Sequence, residues 1–301
     1  MYRWYMEHGI FQIFTAVFFP ETLRKIYFLY IFIEHYLFEM DKKIAAAKEK
    51  GLQPTVVLSE DPVRFYSNAS APLHVLSNFY ESHCVIDDET YPSAEHAYQC
   101  LQKIVGSRAD WQVGGRFTDW DFVYDTVNVE RLSHKLKPLS ASRWKKKKQI
   151  GILAVLVIRR PDLFDVTLVD INSMSVEERR RYDTSSLSYE ERWRPIFEAK
   201  YLKGREIRSV LVKTYPHPLV EFKRGAHKKI LEAFHKNGHS NALAHKAEVW
   251  GAYNYGKEIW GQNVTGVNLT RFRDSLKRAP PRPPTSESVP KKAKYKQYMP
   301  L

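Results

Sequence analysis

Glu95 is the residue around which chemistry can be argued, within the run Tyr91-Pro92-Ser93-Ala94-Glu95-His96-Ala97-Tyr98-Gln99. The run reads as the start of a helix, with Pro92 in the first turn, where its missing N–H is no loss. Ala94, Ala97, Leu101 and Ile104 recur at three- and four-residue spacing and form the apolar stripe. Glu95 lies off that stripe, with Tyr98 and Gln99 beside it at i+3 and i+4. A carboxylate in the first turn is favoured by the helix dipole, so it is expected to stay ionised and to face water or a cleft. The plainer reading is a solvated first-turn glutamate. His96 follows about 100° around the helix, off the Glu95 face, and reads as a hydrogen-bonding structural residue ahead of a proton donor.

Four blocks in chain order join this stretch. Upstream stand Arg64-Phe65-Tyr66-Ser67 and Leu76-Ser77-Asn78-Phe79-Tyr80. Downstream stand Glu248-Val249-Trp250-Gly251-Ala252 and then Gly261-Gln262-Asn263-Val264-Thr265-Gly266-Val267-Asn268-Leu269-Thr270-Arg271-Phe272-Arg273. Together they resemble the NADAR family, also called YbiA-like. Its pattern is F-Y, S-N-F, P-[ST]-x-E-H-x-[YF]-Q, W-G-D, and a closing helix G-x-N-x-L-G-x-x-L-M-x-x-R. The Glu95 block is the most specific, and the resemblance spans about residues 62–276.

The resemblance implies an α+β, helix-rich single domain with a small β-sheet. It also implies hydrolysis of an N-glycosidic bond between ribose C1′ and nitrogen in an N-riboside or ADP-ribosyl compound. Cleavage of that bond makes an oxocarbenium-like sugar, which a carboxylate can stabilise or towards which it can activate water. Glu95 matches the family's catalytic Glu. Trp250 matches the Trp before Gly and would stack on a flat face, with a core Trp as the alternative. Tyr98 joins the substrate-binding set. Asn78 and Asn263 are placed either to orient a ribose hydroxyl or to hold a turn. Gly261 and Gly266 are either phosphate-facing or packing glycines. Arg64 is a candidate phosphate partner through its planar fork, with a surface ion pair as the alternative. No metal or organic cofactor is implied.

Ala252 stands where the family has an acid, and Glu248, Glu258 or Glu221 are the candidate substitutes. Thr265 and Thr270 replace the family's Leu and Met. With the acid lost, the alternative function is a non-catalytic module that binds ADP-ribose or a related nucleotide. Among the histidines, His235 and His239 stand at i,i+4 with His227 and His245 nearby, but no acidic partner completes a zinc motif. Walker, dinucleotide-fold and nucleophile-elbow motifs are absent from the sequence.

Charge and cysteine content bound the rest. The chain has 301 residues, 47 Lys and Arg against 34 Asp and Glu, and a net charge of +13. A tail net of +6 from Lys277 onward carries nearly half of that excess. The run Arg143-Trp144-Lys145-Lys146-Lys147-Lys148 carries five more positive charges. Such runs are usually solvated, and give weak, salt-dependent contact with nucleic acid at most. Two cysteines, Cys84 and Cys100, are too few for a disulfide framework and read as reduced thiols of an intracellular protein, cytoplasmic or nuclear.

Three segments are expected. Residues 1–54 form an N-terminal extension, apolar and then a charged helix stopped by Gly51. The apolar run 9–19 is shorter than the roughly 18–20 residues a spanning helix needs, so a membrane role is not expected. A signal anchor, or a natural start at Met40, are the other readings of that end. Residues 55–276 form the domain. Residues 277–301 form a disordered basic tail, in which Pro290-Lys291-Lys292-Ala293-Lys294 is a weak nuclear-localisation-like cluster.

Within the domain, strands are expected over Val56–Tyr66 around Asp61-Pro62, and a hairpin around Asp87-Asp88. Arg131–Ser142 is expected to be helical or partly so, and helix is expected over Arg192–Thr214. Ile150–Val157 is a buried strand or a buried helix, which periodicity does not separate.

Overall fold

A computed structural model describes residues 42–170, 173–176, 189–223 and 225–278. The expectations for the apolar N-terminal run and for the basic tail beyond Arg278 fall outside those residues, while Lys277 and Arg278 continue the closing helix. Elements and short sheets alternate in an α+β arrangement, with one three-stranded and three two-stranded sheets among the described residues. The chain divides into two compact units. One comprises the described residues up to Val57 with Lys223–Gln262, and the other comprises Leu58–Phe222 with Asn263 onward. The expected domain, 55–276, contributes to both.

In the first unit a helix over 42–49 stops at Gly51, whose φ of +94° is the left-handed geometry expected of a helix stop. Val56–Val57 pairs antiparallel with Glu258–Trp260, which pairs in turn with Tyr253–Tyr255. Two amphipathic helices, Ala226–Lys236 and Asn241–Lys246, pack on each other. His235 and His239 meet edge-on beside the Phe234 ring.

The second unit holds the Glu95 helix. Asp87 and Asp88 both have positive φ, 50° and 65°, the requirement of a two-residue hairpin turn. They join Cys84–Ile86 to Glu89–Tyr91 with Cys84 opposite Tyr91. The chain then enters the helix Ala94–Lys103, capped by Ser93, whose Oγ accepts the His96 N–H. Pro92 therefore precedes the cap and is not in the first turn, a correction of two positions.

The undecided run is a helix, Gly151–Arg159, packed against the Glu95 helix. The expected helix over Arg192–Thr214 is broken. A wide turn over Tyr189–Trp193 leads into Arg194–Tyr201, and Gly204 in an extended conformation separates that helix from Arg205–Lys213. Glycine is a poor helix residue, which explains why a continuous apolar stripe still breaks there. The run Arg131–Ser142 is helical only in part, over Arg131–Ser133 and again from Ser142. The helix Trp120–Ser133 ends at His134, and Lys135 takes a φ of 56°. Pro138 disfavours helix in the residue before it, and the Asn128 side chain instead bonds both backbone groups of Leu139.

The strands near the start do not pair with each other. Val63–Phe65 runs parallel to Leu219–Glu221. Aromatic packing around Trp193, Phe197, Tyr201 and Phe272 fixes the helix Arg194–Tyr201 in the core. Among the described residues no helix is long and apolar enough to cross a membrane.

Candidate functional site

Glu95 does not face open water. It is 9% exposed, and Ala94 to Cys100 are all buried, so the helix is covered on every side in its first two turns. Its backbone N–H donates to the Asn78 carbonyl at 3.0 Å. Its Oε1 accepts from Gln99 Nε2 at 2.6 Å. Gly151 is where the neighbouring helix begins against it. A Cβ there would stand 2.6 Å from Phe79 Cα, 2.9 Å from Glu95 Cβ and 3.1 Å from Ser93 Oγ. Only glycine permits that approach.

Burial pushes the Glu95 carboxyl above its usual range. The Gln99 hydrogen bond and the charges of Lys103, Arg159 and Lys200 pull the other way and do not overcome burial. The expectation of a first-turn carboxylate facing water is corrected by its burial, and desolvation works against the ionised form that the helix dipole favours.

Lys200 is the second unusual group. It is buried, and its Nζ donates to the Ser77 carbonyl at 2.5 Å and lies 3.4 Å from the Leu76 carbonyl. Burial pulls its pKa down to about 7, with Cys84, Glu221 and Glu95 pulling it back up. Its carbonyl partners immediately precede Asn78, so it anchors the strand of backbone that holds the Glu95 N–H.

His96 has the structural role expected of it. Its Nε2 lies 3.1 Å from the Phe117 carbonyl, an oxygen that can only accept, so Nε2 carries the proton. Its Nδ1 then accepts from Ser93 Oγ at 2.9 Å. Burial lowers its pKa to about 4, so it is neutral and committed at both nitrogens.

The other predicted residues part company. Tyr98 is buried and stacked on Trp193, with ring centroids 4.8 Å apart, and Lys103 Nζ lies 5.6 Å from its centroid. Asn78 is buried with its Oδ1 unpartnered. Arg64 is exposed on its strand, its guanidinium 5.1 Å over the Phe222 ring. Asn263 commits both amide atoms to backbone. Oδ1 accepts from Glu221 N at 3.0 Å and Nδ2 donates to Leu219 O at 3.0 Å. Thr270 adds a third clip, accepting from Leu219 N and donating to Gly266 O. Gly266 is a packing glycine, since a Cβ would stand 2.5 Å from Leu219 O. Asn263, Gly266 and Thr270 therefore hold a strand to the closing helix.

Trp250 belongs to the first unit and is 37% exposed. Beside it, Glu248 is 2% exposed, with its carboxylate 2.8 Å from Lys223 Nζ and accepting from Gly251 N at 3.2 Å. Of the three candidate substitutes for an acid at Ala252, Glu248 is the one that folds into the Trp250-Gly251 turn. Glu258 pairs with Lys48, and Glu221 lies in the strand Leu219–Glu221. Among the described residues no group of three or more His, Cys, Asp or Glu is placed to hold a metal ion.

Sequence reasoning did not single out Lys200 or Gly151. Lys200 had a signal, a lysine set beside Phe197 and Tyr201 on an apolar helical stripe. Gly151 had none, because the need for a missing side chain arises from a contact with residues over fifty positions away.

Comparison with protein-family models gives no match, and comparison with curated proteins gives none. Among solved structures, the NMR structure of the E. coli protein YbiA matches 75% of this chain and 92% of that chain at 18% identity, with a TM-score of 0.35. A likeness of that size carries no argument about activity, which rests on the residues themselves.

Proposed function

We propose that the chain is an N-glycosidase of the NADAR type, hydrolysing the C1′–N bond of an N-riboside or ADP-ribosyl compound, with Glu95 as its central group. The carrying observation is the Glu95 carboxyl, buried, with its pKa raised by desolvation, and held by an amide with no cation in contact among the described residues. Buried carboxyls of raised pKa are concentrated where protons are transferred, because the group can then be protonated or ionised near neutral pH.

In this reading the ionised form of Glu95 faces the positive charge that develops on the ribose as the C1′–N bond breaks. Water adds to C1′ and gives its proton to the carboxylate, and the protonated Glu95 passes that proton to the departing nitrogen, which restores the carboxylate. Lys200, with a pKa of about 7 and electrostatically coupled to Glu95, offsets the charge that Glu95 carries when ionised. Asn78, with a buried free Oδ1, orients a ribose hydroxyl, and Arg64 meets a phosphate where the substrate has one. The partner is a small ribosyl or ADP-ribosyl compound. The basic tail adds weak contact with nucleic acid. An intracellular setting, cytoplasmic or nuclear, is supported by the buried free thiols of Cys84 and Cys100.

The second reading is a module that binds ADP-ribose without turning it over. It is favoured by Ala252, which is fully buried and offers no carboxylate, while Glu248 in the same turn is already paired with Lys223. A panel of ribosylamines and ADP-ribosylated bases, offered to the wild type and to Glu95→Gln, decides between them. Turnover that disappears in Glu95→Gln supports the glycosidase. Binding of ADP-ribose with no turnover of any member by the wild type supports the module.

A further inference from the structure

Gln99 makes the side-chain hydrogen bond to Glu95, one turn away on the same helix. Its other amide atom, Oε1, is buried and has no hydrogen-bond partner, and Asn78 Oδ1 is in the same condition on the segment that receives the Glu95 N–H. Both residues are at least nine-tenths buried, Gln99 being 6% exposed and Asn78 5%. An unpaired buried acceptor is costly, so these oxygens are places where a bound donor gains affinity.

The amide has two unlike ends. Against an ionised Glu95 it must present NH2, which leaves a carbonyl oxygen free. Against a protonated Glu95 it can turn over and accept the acid hydrogen, which leaves NH2 free. The atom that Gln99 shows to a ligand therefore depends on whether Glu95 holds its proton. Lys103, Arg159 and Lys200 also act on Glu95 through their charges, which favour the ionised form but offer no carbonyl to accept an acid hydrogen.

We propose that Gln99 is the positioning and specificity residue of the Glu95 site, its amide coupling a hydrogen-bond donor on the ligand to the ionised form of Glu95. A ligand that offers N–H to the free oxygen holds Gln99 with NH2 towards Glu95 and so favours the carboxylate. The ligand half of this inference rests on the N-glycosidase reading. The protein half does not.

The full chain and its Gln99→Met and Gln99→Glu variants test it by two readouts. The first is the titration of the Glu95 carboxyl by infrared difference spectroscopy, with Glu95→Gln identifying the band. Gln99→Met loses the bond that favours the charge, so the titration should move to higher pH. Gln99→Glu, which keeps the shape and removes the NH2, should move it the same way. An unchanged titration in a folded variant overturns the positioning role.

The second readout is calorimetric binding of an N-ribosyl amine whose glycosidic nitrogen carries hydrogen, against its N-methyl counterpart. The wild type should prefer the N–H form by about tenfold, the worth of one hydrogen bond, and Gln99→Met should show no preference. Equal binding by the wild type, or a preference that survives in Gln99→Met, overturns donor recognition. Failure of the wild type to bind either compound, with the titration still dependent on Gln99, overturns donor recognition and the glycosidase reading and keeps the positioning role.

Discussion

Glu95 and Glu248 are both buried glutamates, one in each unit, and they are solved in opposite ways. Glu248 is 2% exposed and its carboxylate meets Lys223 Nζ at 2.8 Å and the Gly251 N–H. Glu95 is 9% exposed and its carboxylate meets a neutral amide, with three cations acting only at longer range. A buried charge balanced by contact is a structural group, and breaking it leaves its partner exposed to the cost. A buried carboxyl without such contact has a raised pKa and keeps the capacity to exchange a proton. Burial alone therefore does not mark a reactive carboxyl, and the partner does.

The sharpest way to break this contrast is to neutralise each glutamate in turn. Glu95→Gln should lower turnover about 10²–10⁴-fold, read by steady-state kinetics on a ribosylamine, with ligand binding retained. Glu248→Gln should keep turnover within a few-fold of the wild type, and an equal loss in both would end the distinction.

His96 gives a pH test on the same helix. Its folded pKa is about 4, against 6.5 for the unfolded group. The unfolded state therefore takes up the proton first as pH falls. Stability should decline from pH 6.5 to pH 4 by about 3 kcal/mol from this group, followed by urea unfolding, and His96→Gln should flatten that part of the profile.

Lys223→Met converts Glu248 towards the condition of Glu95. Loss of the charged contact should cost about 1.5–3 kcal/mol, measured in urea at pH 7. Gly151→Ala has the smallest effect. Its Cβ would press on Phe79 backbone at 2.6 Å, so it should cost about 1–3 kcal/mol and also disturb the Glu95 titration, which a distant overpacked site would not.

Much of this contrast could not be read in the sequence. The Pro92–Gln99 run marked the helix and Glu95, since an apolar 3–4 repeat is a local feature, while the cap itself lies at Ser93. The Asp87-Asp88 hairpin was legible for the same reason, because both residues tolerate positive φ. The break at Gly204 and the end of helix at His134 were hidden by apolar periodicity that continues past them. Asn263 looked like a site residue because an Asn between glycines is ambiguous. Its commitment to Glu221 N and Leu219 O depends on a strand more than forty residues earlier.

What the sequence by itself determined was the set of local devices: the capped start of the Glu95 helix, the tight hairpin before it, the helix stop at Gly51, and the identity of the carboxyl. These follow from backbone preferences and side-chain spacing, which act over a few residues. Only the tertiary structure decided that Glu95 is desolvated, that Lys200 is buried against the Ser77 carbonyl, and that Glu248 is neutralised by Lys223. Desolvation and charge pairing depend on what surrounds a group in space, and the residues that supply those surroundings are distant along the chain.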